Sequence, residues 1–175
     1  MHSKLVRTPG IYVIGFMGAG KTTIGQLLAE ELGWYFADLD QDIEAGQAMT
    51  ISEIFEQRGE AGFRGLEHEA LRQRVRSIQC GKPTVVAMGG GAYAQASNCE
   101  LAEENGITIW LDCSLERIRA RIAGQSHRPL ASDAHRFEEL YQARQPAYAK
   151  AEFRVEITSD DPREVVTQIL GFPIF

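Results

Sequence analysis

The chain has 175 residues, with 24 acidic and 18 basic side chains and a net charge of −6. With 44% hydrophobic residues it has the apolar content of one soluble α/β domain, and its acidity gives it no general attraction for nucleic acid or anionic lipid. No apolar run is long enough to span a membrane, residues 1–10 lack the apolar stretch of a signal peptide, and Cys80, Cys99 and Cys113 match no zinc or C-x-x-C spacing; a reduced, cytoplasmic protein is expected.

Residues 11–14 form a short β-branched run ending at Gly15, the pattern of a buried strand. Ile24, Leu27, Leu28 and Leu32 recur at helical spacing, and Gly33 stops that helix. A second strand is predicted over 34–37, running into Asp38-Leu39-Asp40. Thr50-Ile51-Ser52-Glu53 fits a capping box, with Ile51, Ile54 and Phe55 on one face of the helix it starts. Residues 59–62 loosen the chain, and a further helix is predicted from about 63 to 78. Strands are predicted over 83–88, 107–111 and 153–157, with helices from about 114 to 122 and 137 to 150. Residues 124–134 show no periodicity and read as a loop. Asp161-Pro162 opens a last helix that Gly171 ends. Strands alternating with helices imply right-handed βαβ units on a parallel sheet, whose ligands sit at the carboxyl ends of the strands.

Gly15-Phe16-Met17-Gly18-Ala19-Gly20-Lys21-Thr22 matches G-x-x-x-x-G-K-[ST], placed between a predicted strand and a predicted helix. Its glycines let backbone N–H groups turn toward phosphate oxygens, and the following helix adds its positive end. Lys21 supplies a cation for the β- and γ-phosphates, and Thr22 a hydroxyl for Mg²⁺. Gly15, Gly18, Ala19, Gly20, Lys21, Thr22 and Thr23 are thus the candidate ATP-binding set, with Lys21 also a candidate catalytic residue. Asp38, at a strand end, can hold Mg²⁺ through water. Asp40 can accept the proton of a substrate hydroxyl, or can simply cap the next short helix. Asp42 and Glu44 read as solvated helix positions. Arg64 beside Glu67 has the spacing of a surface ion pair. Arg117, Arg119 and Arg121 crowd one helix, and at least two of them read as a solvated face. His68, His127 and His135 show no metal spacing.

Taken together, these blocks resemble the shikimate kinase family. Gly59-Glu60-Ala61-Gly62-Phe63-Arg64-Gly65-Leu66-Glu67 is similar to its G-E-x-x-F-R-x-x-E block. Gly89-Gly90-Gly91-Ala92 resembles its glycine-rich substrate loop, Arg128-Pro129-Leu130 its lid motif, and Arg144, Pro146 and Tyr148 its R-x-P-x-Y element. The resemblance runs from about residue 11 to 148 in the family's order. It implies a three-layer, adenylate-kinase-like P-loop fold with a five-stranded parallel sheet. A single domain is implied, with a substrate-binding segment at about 39–67 and a lid at about 124–134.

The activity implied is ATP-dependent phosphorylation of the 3-hydroxyl of shikimate, by a monomer that binds no nucleic acid or membrane. Asp40 is then base and substrate contact, and Arg64 and Arg144 hold the shikimate carboxylate. Phe63, Glu67, Gly89, Gly90 and Gly91 complete the substrate site. Arg128 closes on the phosphates as a catalytic residue, and Arg121 lies against adenine. Gly62 and Gly65, around Phe63-Arg64, predict a helix that starts late or is loosely held, and Tyr93 replaces a smaller aliphatic residue near the substrate. A related kinase such as gluconate kinase shares the P-loop and lid arginine but leaves Arg64, Arg144 and the three glycines unexplained. A non-catalytic ATP-binding module would be expected to lack one of Lys21, Thr22, Asp38, Asp40 or Arg128, and all are present.

Overall fold

The computed structural model describes residues 10–123 and 133–175. Five parallel strands form one sheet in the order β2-β3-β1-β4-β5, where β1 is Gly10–Ile14, β2 Tyr35–Asp38, β3 Thr84–Ala87, β4 Ile107–Asp112 and β5 Phe153–Glu156. Burial follows position in that order. The central strands β1 and β3 are buried at every residue, whereas the edge strands β2 and β5 alternate with exposed positions. Both faces of the inner strands are covered, as a parallel sheet requires.

Helices cover the sheet: α1 Lys21–Leu32, α2 Leu39–Gln47, α3 Ile51–Gln79, α4 Ala96–Glu104, α5 Leu115–Ala123, α6 Ala134–Tyr148 and α7 Pro162–Leu170. α1 packs on β2, β3 and α7. One main core, including Ile11, Val13, Leu28, Val85, Ile109 and Ile169, runs through the sheet. A second, smaller core of Ile43, Ile54 and Phe63 lies between α2 and α3.

The predicted caps form. Gly33 adopts φ 66° and its N–H bonds the carbonyls of Ala29 and Glu30. Thr50 and Glu53 make the reciprocal capping box, with Thr50 N–H donating to Glu53 Oε2 at 2.7 Å and Glu53 N–H to Thr50 Oγ1 at 3.2 Å. Asp161 caps α7, with Pro162 in its first turn.

Three expectations change. The predicted break over 59–62 is a single kink at Gly59 (φ 68°, ψ −177°), after which the helix runs unbroken through Gly62 and Gly65. Burial of Phe63 and Glu67 anchors that stretch, so its start is neither late nor loose. Asp42 is not a solvated helix position: Arg74 donates to it through Nε at 2.6 Å and Nη2 at 2.5 Å, tying α2 to α3. Helix α4 had no counterpart in the predicted elements, because its sequence ASNCELAEE lacks a clear apolar stripe.

Candidate active site

β2, β3 and β1 are adjacent and parallel, so the chain leaves all three at one edge of the sheet. There the loop after β1, the acidic turn after β2 and the glycine turn after β3 meet. They border a cleft of about 860 Å³ lined by Lys21, Thr22, Asp38, Asp40, Gly90 and Arg121.

The phosphate loop is shaped by its own residues. Gly15, Gly18 and Gly20 have φ of 152°, 81° and 97°. A Cβ at Gly15 would lie 2.8 Å from the Leu111 carbonyl oxygen. Lys21 folds back so that Nζ donates to the Gly15 and Phe16 carbonyls at 2.8 and 2.9 Å. No side chain caps α1, so its N-terminal N–H groups face the loop as an anion site. Ala19 is buried, and Thr23 borders the cleft one residue beyond Thr22.

The alternatives at the acidic turn are now resolved. Asp38, not Asp40, caps α2: its Oδ1 accepts from the N–H groups of Asp40 and Gln41 at 3.0 and 3.2 Å. Its Oδ2 accepts from Thr22 Oγ1 at 2.6 Å. A hydroxyl and a carboxylate thus sit side by side, two hard oxygen donors of the kind Mg²⁺ takes. Asp40, released from capping, turns toward the glycine turn. Burial raises its pKa first, and the Asp38 carboxylate raises it further, against the pull of Lys21.

Four charged side chains converge on the glycines. A Cβ at Gly89 would stand 2.9 Å from Asp40 Oδ1 and 3.1 Å from Glu67 Oε2. One at Gly90 would stand 3.2 Å from Arg144 Nη1, and one at Gly91 2.5 Å from Arg64 Nη2 and 3.0 Å from Arg144 Nη2. Glycine is required here by close approach, not by backbone conformation.

Arg64 Nη1 donates to Glu67 Oε1 at 2.7 Å, and Glu67 is only 1% exposed. The surface-pair reading of these two residues therefore fails. Burial raises the Glu67 pKa, opposed by Arg64. Arg64 Nε is buried without a hydrogen-bond partner. Phe63 packs in the small core with the Arg64 guanidinium 5.4 Å from its ring centroid. Arg144 lies 5.7 Å from the centroid of Phe16, a contact from within the phosphate loop that the motif does not announce.

Tyr148 donates its hydroxyl to the Gly90 carbonyl, and burial pushes its pKa up to about 12, so it stays a donor. Its i, i+4 spacing from Arg144 was the available signal. Arg121 Nη1 donates to the Gly18 carbonyl at 2.9 Å and Nη2 reaches Asp160 at 3.5 Å. Arg117 pairs with the same carboxylate at 2.8 Å, and Arg119, which is exposed as expected, makes a surface ion pair with Glu138 at 3.1 Å. Tyr93 points away from the turn and donates to Glu103 at 2.8 Å, leaving the cleft undisturbed. Arg128 and His127 lie outside the described residues.

A parallel 2-3-1-4-5 sheet, a phosphate loop opening α1, and an acid–arginine pocket beside it define a P-loop phosphotransferase acting on a small molecule. A family model described as shikimate kinase matches residues 17–172. A shikimate kinase of Persephonella marina is 41% identical over 162 residues, 92% of this chain and 96% of that one. Two solved structures are similar over most of both chains. One is a shikimate kinase from Acinetobacter baumannii in complex with shikimate (TM-score 0.85, 37% identity, 96% and 94% covered), the other a shikimate kinase from Aquifex aeolicus (TM-score 0.81, 33% identity, 92% and 94% covered). The chain belongs to the shikimate kinase family.

Proposed function

We propose that the chain transfers the γ-phosphoryl group of ATP to the 3-hydroxyl of shikimate, giving shikimate 3-phosphate and ADP in aromatic amino acid biosynthesis. The observation that carries this reading is the convergence of Asp40, Glu67, Arg64 and Arg144 on Gly89–Gly91 beside the phosphate loop. Two guanidinium groups over backbone without side chains suit a carboxylate, which an arginine fork binds in a bidentate manner. The second small core under Phe63 supports residues 39–67 as a substrate-binding segment.

On this reading the phosphate-loop N–H groups and Lys21 hold the β- and γ-phosphates, and Arg121 borders the base. Thr22 and Asp38 would hold Mg²⁺, which would supply charge neutralisation to the phosphates. Asp40 accepts the proton of the acceptor hydroxyl as it attacks phosphorus. Its raised pKa brings it nearer the range where a base is effective, while burial limits its hydration. Arg128 closes on the phosphates and helps exclude water, which would otherwise take the phosphoryl group. A monomer is proposed as the working unit. No helix among the described residues is long and apolar enough to cross a membrane, and a cytoplasmic location is proposed on the chain's composition.

A coupled assay of ADP release with Mg·ATP, run with shikimate, with gluconate and without acceptor, tests the reading. Release that depends on shikimate is expected. Release with gluconate alone, or none at all, would refute it.

A further inference from the structure

Asn98 is among the few polar side chains buried in the described residues, at 1% exposed, and both ends of its amide are used. Its Nδ2 donates to the Ala92 carbonyl at 3.1 Å. Its Oδ1 lies 2.7 Å from His68 Nδ1. Ala92 closes the glycine turn, its N–H donating to the Gly89 carbonyl at 3.0 Å. His68 follows Glu67 on α3, and Arg64, Glu67 and His68 share one helical face at i, i+3 and i+4.

The chemistry fixes the orientation. A flipped amide would set its oxygen against the Ala92 carbonyl, two acceptors without a proton between them. With Nδ2 committed to Ala92, Oδ1 can only accept, so His68 must carry its proton on Nδ1. The amide therefore bridges the helix that carries Arg64 and Glu67 to the turn that carries Gly89–Gly91. A Cβ at Gly91 would stand 2.5 Å from Arg64 Nη2, so these two surfaces already meet at the closest approach they allow. Their spacing sets the width of the proposed carboxylate pocket.

We propose that His68 and Asn98 form a positioning strut that fixes the distance between the Arg64/Glu67 face of α3 and the glycine turn, and thereby sets affinity for the phosphoryl acceptor rather than for ATP. The effect on the acceptor rests on the function proposed above; the strut itself does not. His68 is half-buried, so substitutions there spare the core. His68→Leu leaves the buried Asn98 oxygen without its donor, whereas His68→Gln can present an N–H in its place.

Steady-state kinetics of the wild type, His68→Leu, His68→Gln and Asn98→Leu test the proposal. His68→Leu is expected to raise KM for shikimate about five- to tenfold, with KM for ATP and kcat within about twofold. His68→Gln is expected to return to within about twofold of the wild type. An unchanged shikimate KM in His68→Leu, an equal rise in both KM values, or no recovery in His68→Gln would overturn it. Asn98→Leu is expected to match His68→Leu if it folds. A long-range ¹H–¹⁵N spectrum of the free wild-type protein is independent of any substrate: His68 is expected as the Nδ1–H tautomer, and an Nε2–H tautomer would refute the strut. Correct tautomer without shikimate turnover would instead fault the proposed acceptor.

Discussion

Asp40 carries opposed demands. Its carboxylate is held away from water, beside Asp38, and its pKa is raised accordingly. A carboxyl whose folded pKa exceeds its unfolded one binds more protons when folded, so its contribution to stability falls as pH rises between the two values. Asp40→Asn is therefore expected to raise Tm at pH 7 and to lose that advantage below about pH 4, the unfolded range of Asp. The same change is expected to cut kcat by at least about a hundredfold while KM for ATP holds. With Asp40 as the proposed base, activity of the wild type should fail on acidification at a pH above the ordinary Asp range, since that carboxylate would have to be ionised. Near-normal turnover in Asp40→Asn would remove it from the mechanism. Gly91→Ala makes a second case, because its Cβ would meet the far end of the Arg64 side chain and not backbone. It is expected to leave Tm within a few degrees and raise KM for shikimate at least about tenfold, as is Arg144→Ala, with smaller effects on ATP. An equal loss of both substrates would place Arg144 in the fold instead. Residue types at motif spacing were legible here: Asp40, Arg64, Arg144 and the three glycines do converge. Which aspartate caps α2 was not, because Asp38 and Asp40 are equally good caps and only the approach of Thr22 separates them.

At the scale of elements, α3 shows what local sequence can and cannot decide. The Thr50–Glu53 box and the position of Gly59 are local, and each could be read from a few adjacent residues. Gly59 has φ 68° and ψ −177°, a region open essentially to glycine alone. Gly59→Ala is expected to cost ~1–3 kcal/mol, lowering Tm by about 2–4 °C per kcal/mol in a chain of this size. A calorimetric Tm equal to the wild type would show that the kink relaxes freely. Arg74 with Asp42, and Arg121 with Asp160, join residues far apart in sequence, and no periodicity announces them. Helix α4 was invisible for a related reason: it is held by Asn98 and by packing on β4, not by an apolar stripe of its own.

For the whole molecule, the sheet order brings the ends of β1, β2 and β3 to one edge as separate neighbouring loops. On the proposed function, nucleotide would fall to the loop after β1, and acceptor to the turns after β2 and β3 together with α3 and α6. That these loops share one edge was implicit in the alternation of strands and helices, because parallel strands deliver their carboxyl ends to one edge; the division between the two substrates came from the phosphate-loop motif and the family resemblance. It predicts separable binding. Lys21→Met should abolish detectable nucleotide binding by calorimetry yet leave shikimate affinity within about threefold, and a joint loss would mean that the phosphate loop shapes the acceptor pocket as well. On the proposed function, this edge transfers phosphate to one hydroxyl of a carboxylate-bearing acceptor. ³¹P NMR of the products of wild-type protein with Mg·ATP and shikimate tests it most directly. A single new phosphate monoester is expected, at the 3-oxygen, formed in equal amount with ADP. Inorganic phosphate in its place, or an ester at another hydroxyl, would contradict it.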